Sequence, residues 1–216
     1  MLPETRGIRR TGERKVRTEI PMDSSQRKAE HLCTCLDADV ETHGGNGLEG
    51  FRFDPLSLPE IDLDGVDTSA TLFGRVLQWP FVIGAMTGGT GEAGEYNQRF
   101  ALAAEASGCG LALGSLRPAL DDPERVPDYD VRHMAPGIPL VLGNLGAAQV
   151  ADPGLADRVV DLCLRLRFDG LVIHLNPLQE ALQAGGDTAF EGVTRGLSRL
   201  RKQLSEAGLL DRKSVV

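Results

Sequence analysis

Four apolar runs set the rhythm of the second part of the chain, beginning near Phe81, Leu111, Pro139 and Leu171, about 30 residues apart. That interval is the length of a strand plus a crossover helix, so the pattern predicts successive βα units of a parallel sheet. Between the runs the apolar positions change to helical spacing. Glu92 to Ser107 carries Phe100, Ala103, Ala104 and Ala106 as a predicted inner face, with Gly108 placed as a C′ glycine. Asp152 caps the next helix and Pro153 fits its first turn, and Leu155, Val159, Leu162, Cys163 and Leu166 recur on one side. Phe190, Val193, Leu197, Leu200 and Leu204 repeat that spacing. Cys163 on such a face reads as a core residue.

Ahead of Phe81 the pattern is weaker. Residues 1–21 are basic and show no hydrophobic periodicity, and read as a disordered tail; Met22 precedes the helix-capping Asp23-Ser24-Ser25 and is a candidate start. Acidic Glu4, Glu13 and Glu19 argue against a mitochondrial-type presequence. A short helix is predicted from Gln26 to Leu36, with Arg27, Lys28 and His31 along one edge, a pattern that spacing alone reads as a solvated face. Residues 44–79, rich in Gly, Pro and Asp, read as an irregular lead-in with a short strand or hairpin. The organisation expected is therefore a tail over 1–21, a helix and irregular segment over 22–79, an α/β body over 80–210, and a closing 211–216 that fits no βα pattern and reads as non-native.

Composition narrows the function classes. No apolar run in the 216 residues is long enough to span a bilayer. Residues 1–22 hold six Lys/Arg against three Asp/Glu, whereas residues 23–216 hold 17 against 28. A body of net charge −11 argues against nucleic acid as the partner, and an anionic substrate would need a local basic cluster or a metal. Four dispersed cysteines fit reduced thiols in the cytoplasm. Cys33-Thr34-Cys35 beside His31 is at most half a metal site, because no second Cys/His pair completes it.

The polar residues of interest stand where the apolar runs end. Phe81 to Met86 leads into Thr87-Gly88-Gly89, Leu111-Ala112-Leu113 into Gly114-Ser115-Leu116-Arg117, and Leu140-Val141-Leu142 into Gly143-Asn144-Leu145-Gly146. Gly170-Leu171-Val172-Ile173 leads into His174-Leu175-Asn176-Pro177-Leu178-Gln179-Glu180. Alternation along a strand puts His174 and Asn176 on one side, and Pro177 is expected to stop the ladder and send Gln179 and Glu180 into a loop. Each cluster alone could be a turn or a cap. Together, at the C-terminal ends of one sheet, they mark a site, since α/β folds place their chemistry there.

These motifs, with Arg27-Lys28-Ala29-Glu30-His31-Leu32 and Gly186-Asp187, resemble the type 2, flavin mononucleotide-dependent isopentenyl-diphosphate delta-isomerases from about Gln26 to Gly208. The heptapeptide at 174–180 is the most specific part of the likeness. The resemblance implies a (β/α)8 TIM barrel of which residues 80–210 supply only the first four βα units, so the chain is expected to be truncated and inactive. It also implies interconversion of isopentenyl and dimethylallyl diphosphate, with FMN, Mg²⁺, and NAD(P)H as reductant of the flavin. By the same resemblance His174, Asn176 and Gln179 are catalytic. Arg27, Lys28, His31, Ser115, Arg117 and Gln179 bind the diphosphate; Ala85, Met86, Thr87, Ser115 and Asn144 line the flavin; Glu180 binds the metal. The partners implied are a small-molecule diphosphate and further copies of a homo-oligomer in the cytoplasm. The alternatives are another flavin-dependent barrel such as a 2-hydroxy-acid oxidase, which is not expected to carry the Asn-Pro-Leu-Gln-Glu run, and a non-catalytic half-barrel.

Overall fold

Each of the four apolar runs becomes a parallel strand. The computed structural model describes residues 33–41, 44–86, 88, 91–183 and 185–209. Among them a hairpin of β1 (Ala70–Leu72) and β2 (Arg75–Leu77) precedes β3 (Val82–Ile83), α1 (Gly91–Ser107), β4 (Gly110–Ser115), α2 (Arg117–Asp121), α3 (Val131–Met134) and β5 (Leu140–Gly146). Then follow α4 (Ala147–Val150), α5 (Pro153–Arg165), β6 (Gly170–His174), α6 (Pro177–Leu182) and α7 (Val193–Glu206). No described helix is long and apolar enough to cross a membrane.

The sheet has the order β3-β4-β5-β6, with every neighbour parallel. It is open, and β3 and β6 are its edges. The expected (β/α)8 TIM barrel is therefore not what these residues form, and the reading of the chain as a barrel cut short has no support in the fold. The physical reason is closure: a barrel of this type needs eight tilted strands in a fixed stagger, and four parallel strands with free edges make a twisted layer instead.

Alternation sorts the strand residues onto two faces. Leu111, Leu113, Val141 and Leu145 face the helices, where they join Ala101, Ala104, Leu155, Val159, Leu162, Cys163, Leu200 and Leu204 in the main core. Burial pushes the Cys163 thiol up to about 12, which keeps it an inert core group, as its place in the pattern predicts. Ala112, Leu140 and Leu142 face the other way and are covered by Phe73 and Leu77 of the hairpin. The hairpin turn puts Phe73 and Gly74 in left-handed backbone, with φ of 51° and 74°, as a two-residue turn matched to strand twist requires.

Asp152 accepts a hydrogen bond from the Gly154 amide, and α5 buries the apolar positions read from the sequence, whereas α7 buries Leu200 and Leu204, leaves Val193 and Leu197 half-buried and begins after Phe190. The inner face of α1 differs. Ala93, Asn97, Ala101 and Ala104 are buried, whereas Ala103 and Ala106 are exposed, because alanine on both sides of the helix carries no strong directional signal. Asn97 is held inside by its amide, which donates to the Asp128 carbonyl at 3.1 Å. Pro177 also acts differently from expectation: it opens α6 instead of a loop, since its missing N–H costs nothing in the first turn.

Two contacts fix the layers. A Cβ added to Gly196 of α7 would overlap the Val150 carbonyl at the end of α4, so the two helices touch through backbone. Gly196→Ala should accordingly lower stability by about 1–3 kcal/mol through overpacking, measured as a shift of the urea midpoint. At the opposite end of the sheet, the buried Asp169, just before β6, accepts from the Val141 amide at 2.8 Å and pairs with Arg132 and with Arg75 of the hairpin, the latter at 2.7 Å.

Candidate functional site

The register aligns the polar strand ends. Ser115 of β4 lies opposite Asn144 of β5, and Gly146 of β5 lies opposite His174 of β6. A register shift between Ala112 and Ser115 lets the end of β4 come level with Asn144. Asn144 and His174 lie on the hairpin-side face of the sheet, continuing the alternation of Leu140-Leu142 and Val172, and Asn144 is buried. His174 Nδ1 and Asn144 Oδ1 are 2.7 Å apart. An amide oxygen only accepts, so Nδ1 carries a proton in this contact, and in the neutral ring Nε2 presents a lone pair. Burial of the imidazole lowers its pKa below the ordinary value, and the Glu180 charge opposes that only in part.

Short α6 carries Gln179 and Glu180 beside this rim. Asn176 and Glu180 stand one turn apart, and Asn176 Nδ2 donates to Glu180 Oε1 at 2.8 Å. The second oxygen, Oε2, accepts from the Asp187 amide at 2.7 Å. Each carboxylate oxygen therefore retains acceptor capacity, while no donor neutralises the charge. Asp187 in turn accepts from Gln149 Nε2 at 3.1 Å and lies 4.0 Å from Arg117 Nη1. Arg117 is half exposed and shared with Asp121, at 3.5 Å.

On the β3 side the chain leaves the sheet at Gly84, and Ala85 and Met86 are exposed. Gly88 is buried so closely against Tyr129 that an added Cβ would stand 2.5 Å from the tyrosine hydroxyl. That hydroxyl donates to the Ser115 carbonyl at 2.7 Å and so fastens the end of β4. Burial is the largest reason that the phenol's pKa is raised, and it acts as a neutral donor.

The structure thus brings together Ser115, Asn144, His174, Asn176, Glu180 and Arg117 at one end of the sheet, with Ala85 and Met86 following the edge strand. Gln179 is exposed on α6. Arg27, Lys28, His31 and Thr87 lie outside the described residues. Cys33 and Cys35 are exposed, free thiols, and no group of three or more His, Cys, Asp or Glu able to hold a metal occurs among the described residues. Gln149 and Tyr129 were not singled out from the sequence. Gln149 follows Gly146 by three positions, and nothing but the fold connects it to Asp187. Asp187 was part of the Gly186-Asp187 motif but carried no assigned role.

Two of the groups that the resemblance implies, a metal ion and a flat ring, can be set against the residues at this rim. Glu180 is a hard, charged oxygen donor with free lone pairs, suited to Mg²⁺ only when waters and substrate phosphates complete the shell. Gly84, Ala85, Ser115 and Asn144 are short at the strand ends, and among the described residues no heavy atom beyond the chain neighbours lies within 4 Å of a Cβ placed at Gly84, so that strand end is open.

No family model matches the chain. It is 45% identical over 184 residues to an isopentenyl-diphosphate delta-isomerase from Synechococcus sp., covering 83% of this chain and 52% of that protein. Proteins of the same name from Cronobacter sakazakii and Thermococcus onnurineus are 42% and 40% identical, over 84% and 82% of this chain and 52% and 49% of their own lengths. The chain spans about half the length of the curated relatives it matches. Across most of its own residues, the chain is homologous to proteins named isopentenyl-diphosphate delta-isomerase.

Proposed function

We propose that the polar rim binds isopentenyl diphosphate, and that the protein belongs to the flavin-dependent, type 2 form of the isomerase. The observation that carries this reading is the junction of Asn144, His174, Asn176 and Glu180 at the ends of β5 and β6. Moving a double bond requires a proton added at one carbon and removed from another, with no net electron transfer. Reduced FMN, kept reduced by NAD(P)H, supplies that acid/base group when bound. The chain's own residues position and neutralise. Glu180 would hold Mg²⁺ against the diphosphate, which otherwise meets an unscreened carboxylate. Arg117 and Gln179 supply further donors, and Arg27, Lys28 and His31 are proposed to add to them. Burial holds the His174 imidazole below its ordinary pKa in the free protein, and a diphosphate oxygen beside Nε2 would favour its protonated form, so binding is expected to take up a proton there.

The test is to incubate the purified chain with isopentenyl diphosphate, reduced FMN and Mg²⁺, with the Synechococcus relative run alongside. Dimethylallyl diphosphate formation that requires both the metal and the reduced flavin is the expected result. Product formed without flavin would overturn the type 2 reading; neither binding nor turnover, with the relative active, would overturn the substrate.

A further inference from the structure

We propose that Asp187 is a positioning residue for the Glu180 carboxylate and that Gln149 anchors it. The inference rests on the isomerase reading only for what Glu180 does; the contacts stand without it. Glu180 lies on α6, a helix of six residues with no side-chain cap at its N-terminus, and so short a helix has little stability of its own. Its contact with Asn176 is a local one, four residues apart at the mouth of the same helix, and leaves the pair free to tilt together. The hold that comes from outside α6 is the Asp187 amide, which donates to Glu180 Oε2 at 2.7 Å.

Asp187 follows a turn in which Gly185 has φ of 67° and Gly186 presses on the Glu180 backbone, so that a Cβ at Gly186 would overlap the Glu180 carbonyl. That turn needs a fixed point. Its own hydrogen bond, from the Ala189 amide to Asp187 Oδ1 at 3.2 Å, is local and fixes nothing to the sheet. Arg117 at 4.0 Å is half exposed and shared with Asp121, a weak anchor in water. Gln149 is different. It lies on α4, directly after β5, whose Asn144 meets His174, and its amide donates to Asp187 Oδ2 at 3.1 Å. Gly146 makes room for it, because a Cβ there would run into Gln149 Oε1 and stand 3.2 Å from His174 Nε2. β5 and the helix directly after it thereby set both halves of the rim: Asn144 faces the imidazole directly, and Gln149 orients the carboxylate through Asp187.

Groups that act in series should not add. Partners of a metal ligand typically change metal affinity by 10-fold or more. Gln149→Ala and Asp187→Ala are each expected to weaken binding of Mg²⁺ with inorganic diphosphate by about tenfold by isothermal titration, and the double variant to be no worse than either. Asp187→Asn keeps an acceptor for Gln149 and should recover most of the loss. Amide hydrogen exchange at position 187, read by NMR, should quicken in both alanine variants. If Asp187→Ala does not fold, Gln149→Ala alone still decides, through exchange and titration. Unchanged exchange and unchanged magnesium affinity in Gln149→Ala, or fully additive losses, would overturn the proposal. Faster exchange in a chain that never binds the metal with diphosphate would uphold the positioning role and count against the isomerase reading instead.

Discussion

Glu180→Gln should cut magnesium-dependent turnover of isopentenyl diphosphate by at least about 100-fold, since losing a mere partner of a metal ligand already costs about 10- to 100-fold, while flavin affinity stays near its original value. The charge is the reason. In the folded chain both carboxylate oxygens accept hydrogen bonds, from Asn176 Nδ2 and the Asp187 amide, and neither partner is a cation. A glutamine must turn its NH₂ toward one of those donors, so one hydrogen bond is lost, at about 1 kcal/mol, and the full negative charge disappears. His174 provides a second readout. Burial lowers its pKa and Glu180 raises it, so removing the carboxylate should lower it further; because the diphosphate favours the protonated ring, the alkaline limb of the kcat/KM profile should move to lower pH. Equal losses of flavin and of magnesium would show that Glu180 is structural.

How far the sequence carried this site depended on whether the information was local. Alternation puts His174 and Asn176 on one side of a strand, whereas β6 ends at His174 and Asn176 caps α6; the interval between apolar runs predicts four parallel strands, because it depends only on near neighbours along the chain. The positions of Gln179 and Glu180 were misread because Pro177 is as compatible with a first helical turn as with a break, and only the capping context decides. Gln149 and Asp187 are 38 residues apart, and a lone Gln on a four-residue helix carries no period or motif that would pair them. Closure of the sheet was inferred from resemblance and not from the residues, and the open order β3-β4-β5-β6 overturned it. Nor could composition tell that Leu48, Phe51, Phe53, Leu56, Leu58 and Leu63 of the lead-in would stay exposed, since apolar content predicts burial only where a periodic element presents it to a core.

Asp169→Ala should be the most destabilising single change at the end of the sheet away from the site, at about 3–5 kcal/mol, the range for removing one member of a buried ion pair. Asp169 is 3% exposed at its side chain and joins three separate pieces of chain: β2 through Arg75, α3 through Arg132, and β5 through the Val141 amide. Arg132 is 11% exposed and keeps its contacts to the Arg167 and Ile138 carbonyls, yet without the carboxylate its charge is left inside unpaired. Arg75 is 56% exposed, so Arg75→Ala frees a solvated end and should cost no more than about 1 kcal/mol. A two-stranded hairpin is not stable on its own, so loss of Asp169 should also loosen β1 and β2 before the sheet unfolds. Urea unfolding with amide exchange over Ala70–Leu72 and Arg75–Leu77 checks this. The rim should respond little, because five residue steps along β6 separate Asp169 from His174, roughly 16 Å at the usual rise. Matching small losses for Asp169→Ala and Arg75→Ala would mean that the hairpin is held by the packing of Phe73 and Leu77 on Ala112, Leu140 and Leu142, and that the buried carboxylate fixes only the local path of the chain into β6.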